Sequence, residues 1–290
     1  MTVSRTNSNS LSSLANLGST EPVTTPEPGD QATTAAVSDE LSSEPQHTDL
    51  SGANRRTSGL GAEPDRRSGV LGAITAHPPP PPLPPGAADI KWDDPAIKPP
   101  RGAVTQPRPE VLGPAVTAYN KAHERGLVRN PMLTIIDYSL PSSQPRMWVI
   151  DMDRKQLVAQ HLVAHGRASG DPRNPAKATS FSNTSESNKS SLGVLITGDT
   201  YHGKHGRSLR LHGQETGFND HAEARAIVMH GADYATQSFV DQNGYLGRSQ
   251  GCPAMDPDVV QRVIDRIKGG SVVFGYAPDR TWLGRSEFVR

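Results

Sequence analysis

The sequence predicts a mainly β domain with short helices, built as a β-sandwich or barrel and preceded by a long disordered N-terminal region. Two features of the chain support this prediction. Before Val111 lie 17 of the 26 prolines and a single aromatic residue, Trp92. From Val111 onward, short apolar runs of strand length alternate with turn-forming residues, and few helical patterns interrupt them.

Residues 1–109 are predicted to be disordered. A segment rich in Ser, Thr, Pro and Gly with so few aromatic residues buries too little apolar surface to offset the conformational entropy lost on folding. The proline run 78–82, followed by Pro84 and Pro85, favours an extended polyproline II conformation. Such segments serve as stiff spacers, which is the preferred interpretation, or bind partners that recognise proline.

Length and charge restrict the function classes. A chain of 290 residues can hold one or two domains, and we predict one folded domain over residues 110–290. The 30 basic and 30 acidic side chains balance, which argues against a nucleic acid partner or a membrane surface bound through bulk charge. No apolar run reaches the roughly 18 residues of a membrane span. We expect a monomer.

The N-terminus gives no clear export signal. Residues 1–20 lack the apolar core of a Sec signal peptide. Arg66 and Arg67 precede an apolar stretch in the manner of a twin-arginine signal, but the motif is internal and short, so chance explains it better. Export by a route without a signal peptide, a misassigned start codon and a cytoplasmic location therefore stay open.

The folded part begins with a helix predicted over residues 111–127, since its apolar residues recur at helical spacing and Pro131 follows. A short helix is predicted from Asn219, as its cap, through Arg225. A second clear helix is predicted over residues 257–268, with Asp256 as its cap and two glycines after its end. Strands are predicted over residues 132–138, 147–151, 157–164, 192–197, 208–212, 226–230 and 272–276.

Cys252 is the only cysteine, so it is the only candidate thiol nucleophile. It lies between Gly251 and Pro253, just before a predicted helix, where the helix dipole favours the reactive thiolate. The N–H groups of residues 251 and 252 could form part of an oxyanion hole. A lone cysteine is more often a small buried side chain, and position alone leaves both interpretations open.

A thiol nucleophile needs a base, because a free thiol with a pKa of about 8.5 is mostly protonated at neutral pH. Four histidines precede glycine: His165, His205, His212 and His230. His212 and His230 end predicted strands close to the Cys252 loop. Each could instead be an ordinary surface histidine. A metal site is disfavoured, because no tightly spaced histidine pair is present.

The order of these motifs resembles the L,D-transpeptidase catalytic domain of peptidoglycan enzymes, in which a strand and His-Gly precede Ser-x-Gly-Cys. More closely, residues 132–277 resemble the murein L,D-transpeptidase catalytic domain family, over about half of the chain. The segments that carry the resemblance are PRMWVIDM (145–152), LVAHGRASG (162–170), FSN (181–183), SSLGV (190–194), GKHG (203–206), LRLHG (209–213), GFND (217–220), AIVMHGADY (226–234) and GRSQGCPA (247–254).

The resemblance implies that Cys252 is the nucleophile and His230 the base, while Ser249 and Gly251 shape the nucleophile loop and the oxyanion site. Gln250, in the same loop, stands where the family often has His, Arg or an aromatic residue. The 21 residues between His230 and Cys252 exceed the gap of the commoner branch.

Further residues are candidates around this pair. His212 is the second candidate for the base. Residues expected to contact substrate, or to replace the base, are Gly231, Arg248, Tyr201 and His205. The cations expected to pair with substrate carboxylates are Arg225, Arg210, Arg248 and Lys204, although surface arginines are more often merely solvated.

The implied reaction is acyl transfer on the tetrapeptide stem of peptidoglycan through a Cys252 thioester, with no metal or organic cofactor. Hydrolysis of the same bond, as in an L,D-carboxypeptidase or endopeptidase, is the first alternative. A secreted interaction or effector protein that acts through its N-terminal tail is the second. A peptidoglycan substrate implies an extracytoplasmic bacterial enzyme.

Overall fold

The structure, a computed structural model, describes residues 82–290 except residues 96, 99, 104 and 105. The disorder predicted for residues 1–81 lies outside the described residues, as does most of the proline run. In the described part the elements follow one another as α1 (Pro109–Glu124), β1 (Met132–Asp137), β2 (Met147–Asp151), β3 (Gln156–His161), β4 (Gly170–Asp171), β5 (Asn174–Ala178), β6 (Gly193–Gly203), β7 (Gly206–Gly213), β8 (Val228–Gly231), α2 (Gln237–Asn243), β9 (Ala254–Met255), α3 (Pro257–Ile267), β10 (Val272–Tyr276) and α4 (Arg280–Arg285).

Eight of these strands form one sheet in the order β3-β2-β1-β10-β6-β7-β8-β9. The pairs β1–β10 and β8–β9 are parallel and the other neighbours are antiparallel. Beyond β3, the Ala164 N–H donates to the Ala254 carbonyl of β9, at 2.8 Å. This bond brings the two ends of the sheet together. The predicted mainly β, barrel-like fold with short helices is confirmed.

The predicted helices at the two ends of the domain are present because each has an apolar face to bury. The first, α1, buries Val111, Ala115 and Val116 completely. The helix α3 begins as predicted: the Asp256 carboxylate accepts a hydrogen bond from the Asp258 N–H at 2.8 Å. Its buried residues, such as Ile264, pack on the core.

The short helix predicted from Asn219 through Arg225 is wrong. This stretch forms consecutive turns, and Asn219 is fully buried. Its amide donates to the carbonyls of Leu192 and Val194, at 2.8 and 3.0 Å, and its Oδ1 accepts from the Glu215 N–H at 2.8 Å. The side chain that was expected to cap a helix therefore binds the start of β6 instead.

Part of the segment that the sequence assigns to the N-terminal region packs on the domain. Ala87 and Ile90 are buried in the core. The Lys91 N–H donates to the Lys155 carbonyl at 2.8 Å, and the Lys91 carbonyl accepts from the Leu157 N–H at 2.9 Å. These bonds cover the free edge of β3. Trp92 and Ile97 also pack, partly buried, against this core. Four apolar residues in a proline-rich stretch are too few for composition to reveal the contact.

Candidate active site

A cleft of about 630 Å³ opens beside strand β8. Its walls come from the tip of the β6–β7 hairpin, from β8, and from the loops around residues 186–188 and 248–252. The structure brings most of the predicted site residues together here. Those that line the cleft are Cys252, His230, Ser249, Gln250, Arg248, Tyr201 and His205.

The Cys252 thiol is half-buried at the wall of this cleft. Its Sγ accepts a hydrogen bond from the Val228 N–H, at 3.5 Å, and donates to the Ala226 carbonyl, at 3.6 Å. Burial raises the pKa of the thiol, while the Val228 N–H and the charges of Arg225 and Lys204 act in the opposite direction. The resting thiol is therefore protonated, and it needs a base in order to become a nucleophile.

The loop that carries the thiol is fixed by Ser249. Its Oγ donates to the Cys252 carbonyl at 2.6 Å and accepts from the Gly251 N–H at 3.0 Å. Because the Gly251 N–H is bound in this way, it is not free for the oxyanion role expected of residues 251 and 252. The backbone donors at the sulfur are instead the N–H groups of Val228 and of Cys252 itself.

Only glycine fits at position 251. Its φ is +125°, and a Cβ there would lie 2.8 Å from the Lys189 carbonyl oxygen and 3.0 Å from Ile227 Cδ1. The glycine thus lets the nucleophile loop lie directly against the neighbouring loop. The exposed Gln250 precedes it and also lines the cleft.

His230 lies at the end of β8 and is 2 % exposed. Its Nδ1 is 2.9 Å from the Gly231 carbonyl oxygen, so the Nδ1–H donates and Nε2 carries the free lone pair. Burial lowers the pKa of this imidazole; His205 and Lys204 lower it further, whereas the Gly231 carbonyl raises it. The ring is therefore neutral at neutral pH, in the form that can accept a proton.

His205, at the hairpin tip, stacks on His230 with ring centroids 4.2 Å apart and planes 22° apart. Among the hydrogen bonds of the described residues, those of the thiol go to Val228 and Ala226 and that of the imidazole goes to Gly231. The thiol and the imidazole thus share a cleft without a hydrogen bond between them in this resting arrangement.

Four of the predicted residues do not line this cleft: His212, Gly231, Gly251 and Arg210. His212, the second candidate for the base, faces away on β7: its Nδ1 is 3.0 Å from the Glu223 carboxylate, and its ring fills the space over Gly198. Gly231 lines an adjoining cleft of about 440 Å³, and its carbonyl holds the His230 ring.

The arginines that were expected to bind substrate differ in what they contact. Arg225 already makes four hydrogen bonds, to the carbonyls of Ser182 and Lys189 at 2.6 Å each and to the hydroxyls of Ser191 and Ser187 at 2.7 and 3.2 Å. It therefore braces the loop that packs against Gly251. Arg210 lies over the ring of Tyr201, at 4.5 Å.

Behind the nucleophile loop lies a buried hydroxyl that sequence reasoning missed. Ser190 Oγ accepts from the Gly166 N–H at 3.0 Å and donates to the Gly251 carbonyl at 3.2 Å. It also hydrogen-bonds to Tyr138. Ser190 belongs to the SSLGV segment, but nothing in that pattern shows that its hydroxyl reaches residues 24 and 61 positions away.

A buried arginine, Arg146, binds the segment that leads to the His165-Gly166 dipeptide. Arg146 is fully buried and donates to the Val163 and Leu140 carbonyls and to His165 Nδ1, at 2.9, 2.8 and 2.8 Å. Burial lowers the pKa of Arg146 to about 10. Burial, with the charges of Arg146 and Arg248, lowers the pKa of His165 to about 3. His165 is thus a neutral structural residue, although its His-Gly dipeptide matches that of His230.

Arg167 and Tyr234 also line the cleft, and sequence reasoning did not select them. Each follows a His-Gly dipeptide closely, which is the signal that could have found them. Within residues 82–290, as far as they are described, no group of three or more His, Cys, Asp or Glu side chains could hold a metal ion. No helix in that same part of the chain is long and apolar enough to cross a membrane.

The fold and the cleft define a mainly β domain in which one cysteine and two stacked histidines face the same space. A sequence-family model described as L,D-transpeptidase catalytic domain matches residues 105–276. The chain belongs to this family, because the match covers more than half of its 290 residues. No curated protein matches the chain.

Solved structures of L,D-transpeptidases are similar to this chain. The L,D-transpeptidase from Mycobacterium smegmatis shares 13 % identity with a TM-score of 0.31, over 51 % of this chain and 59 % of that one. L,D-transpeptidase 1 of Mycobacterium tuberculosis shares 10 % identity with a TM-score of 0.28, over 51 % of this chain and 63 % of that one. The L,D-transpeptidase of Xylanimonas cellulosilytica shares 15 % identity with a TM-score of 0.30, over 54 % of this chain and 68 % of that one. The chain thus spans less than two thirds of the two mycobacterial proteins.

Proposed function

We propose that this protein is a peptidoglycan-modifying cysteine acyltransferase, an L,D-transpeptidase that acts on the stem tetrapeptide through a Cys252 thioester. One observation carries the proposal within this family. The sole thiol and a neutral imidazole line one cleft, and the Gly231 carbonyl holds that imidazole in the tautomer that can accept the thiol proton. Peptidoglycan lies outside the cytoplasmic membrane, so we propose an extracytoplasmic location.

The first half of the reaction forms the thioester. The thiol turns from the Ala226 carbonyl toward His230, and its proton passes to Nε2. Sγ then bonds to the carbonyl carbon of the third stem residue, and the developing oxyanion is stabilised by backbone N–H groups, each worth about 3–4 kcal/mol. The carbon–nitrogen bond to the terminal D-alanine breaks, and His230 returns the proton to the leaving amine.

The second half regenerates the thiol. The amine of another stem attacks the thioester carbonyl and loses a proton to His230. The carbon–sulfur bond breaks, and the sulfur takes the proton back. If water attacks instead, the product is a shortened stem and the enzyme is a hydrolase.

Incubation of the purified protein with disaccharide-tetrapeptide, followed by mass spectrometry, tests the proposal. We expect a cross-linked dimer together with free D-alanine. Tripeptide without dimer would identify an L,D-carboxypeptidase. An unchanged substrate would contradict both reactions and favour the interaction protein that acts through its N-terminal tail.

The stacked histidine makes a pH dependence testable. In His205→Ala, the His230 ring becomes more exposed and loses a neighbour whose protonation opposes its own, so the pKa of His230 should rise toward the ordinary value of about 6.5. A base is active when it is deprotonated, so the acidic limb of the kcat/KM profile should move to higher pH. The fractional loss of activity should be larger at about pH 6 than at about pH 8.

The matched control is His202→Ala, an exposed histidine on the same hairpin. We expect its profile to coincide with that of the wild-type protein. A uniform loss of activity at every pH in His205→Ala would show that His205 supports the hairpin and does not tune the base.

A further inference from the structure

Among the residues that the structure describes, five charged side chains line the cleft, and only Glu186 of these is acidic. Of the four cations, Arg225 is occupied by its hydrogen bonds to the loop below. Arg167, Lys204 and Arg248 are exposed, and no acidic side chain or other acceptor pairs with them in the part of the chain that the structure describes. The unpaired cations therefore make the cleft positively charged.

We propose that the cleft selects stem peptides with two free carboxylates, one bound by Arg167 and Arg248 and the other by Lys204. This rests on the proposed function and extends it to the charge of the substrate. Guanidinium groups bind carboxylates through paired hydrogen bonds, which a carboxamide cannot reproduce with the same charge. Amidation of a stem carboxylate therefore changes recognition directly.

The backbone places the two arginines on adjacent segments, diagonally across a short parallel pairing. The Arg167 N–H donates to the Ser249 carbonyl at 2.7 Å, and the Ser249 N–H donates to the His165 carbonyl at 3.0 Å. This short parallel pairing sets Arg167 opposite the segment that contains Arg248. Two guanidinium groups that arise from neighbouring backbones and line one cleft can share a single carboxylate.

Lys204 serves a different position, at the tip of the β6–β7 hairpin. It lines the same cleft as Cys252 and His230, and its charge acts on both side chains, so it lies near the reacting groups. The carboxylate of the terminal residue is one residue beyond the scissile carbonyl, a distance of about 3.8 Å between successive Cα atoms. Lys204 therefore suits the carboxylate of the residue that leaves.

In a stem whose third residue is a diamino acid with a side-chain carboxylate, the arginine pair then suits that carboxylate. A carboxylate at each end of the reacting segment would orient the scissile bond across the thiol. This arrangement disfavours donor peptides that carry positive charge at either position, because they would face unpaired cations.

The test compares three tetrapeptides: one with both carboxylates free, one with the side-chain carboxylate as carboxamide, and one with the terminal carboxylate as carboxamide. We expect the wild-type protein to prefer the free acid by about fivefold in kcat/KM for each carboxylate, mainly through KM. Arg167→Gln and Arg248→Gln should remove the preference for the free side-chain carboxylate only. Lys204→Gln should remove the preference for the free terminal carboxylate only.

Arg173→Gln, an exposed arginine outside the cleft, is the matched control and should keep both preferences. Binding of the same peptides to Cys252→Ala by calorimetry gives a measurement that does not need turnover. Discrimination that depends on the arginines without any turnover would defeat the proposed reaction and leave this inference standing. Equal binding of free acid and carboxamide, or a preference unchanged in all three cleft variants, would overturn the inference.

Discussion

Replacement of Cys252 by alanine is expected to abolish the reaction with stem tetrapeptide. No other thiol is present in the chain, so no thioester can form. In enzymes with a covalent intermediate, loss of the nucleophile lowers kcat by about 10⁶-fold. Intact-protein mass spectrometry should show an acyl adduct on the wild-type protein during turnover and none on Cys252→Ala.

The variant should fold normally, which makes the loss of activity interpretable. Cys252 is half-buried, and its hydrogen bonds to Val228 and Ala226 are long, at 3.5 and 3.6 Å. Removal of the sulfur should lower the free energy of unfolding by about 1 kcal/mol at most. A Cys252→Ala protein that melts like the wild type and still turns over substrate would refute the thioester mechanism.

The elements that the sequence predicted are those whose pattern is set by burial. The strands β1, β2 and β10 are buried along almost their whole length and read as apolar runs. The two amphipathic helices α1 and α3 were found for the same reason. The pairing of the strands could not be predicted, because β1 lies parallel to β10, which comes about 140 residues later in the chain.

The β6–β7 hairpin shows where pattern reasoning failed. Strands were predicted over residues 192–197 and 208–212, but β6 extends to Gly203 and β7 begins at Gly206. The outer part of this hairpin is largely exposed, so no apolar alternation marks it. The hairpin nevertheless carries Tyr201, Lys204 and His205 into the cleft.

The short helices and the histidines failed for a different reason. The helices α2 and α4 have cap residues, Thr236 and Asp279, that are visible in the sequence. Each helix is at most seven residues long and buries one side chain, Val240 or Trp282, so no apolar periodicity marks it. Among the His-Gly dipeptides, His165 and His230 are alike locally. One binds a buried arginine and the other faces the thiol's cleft, and only the fold separates them.

His230→Ala is expected to lower kcat/KM for stem tetrapeptide by about 10²- to 10⁴-fold, which is the usual contribution of a general base. Burial raises the pKa of the Cys252 thiol, so without the imidazole most of the protein stays in the unreactive thiol form at neutral pH. The residual rate should therefore rise with pH, as hydroxide and solvent take over deprotonation. The wild-type rate should instead level off once His230 is neutral.

The matched control is His212→Ala. His212 also belongs to a His-Gly dipeptide at the end of a neighbouring strand, but it contacts Glu223 outside the cleft. We expect its kcat/KM to stay close to that of the wild-type protein, since His212 lies outside the cleft and its half-exposed contact with Glu223 contributes only about 0–1 kcal/mol to stability. The rate of thiol alkylation, measured by mass spectrometry at several pH values, tests the same base without substrate. This rate should fall in His230→Ala and stay unchanged in His212→Ala. The reverse pattern would make His212 the base, and it would require the β7 histidine to reach a thiol from which the resting fold separates it.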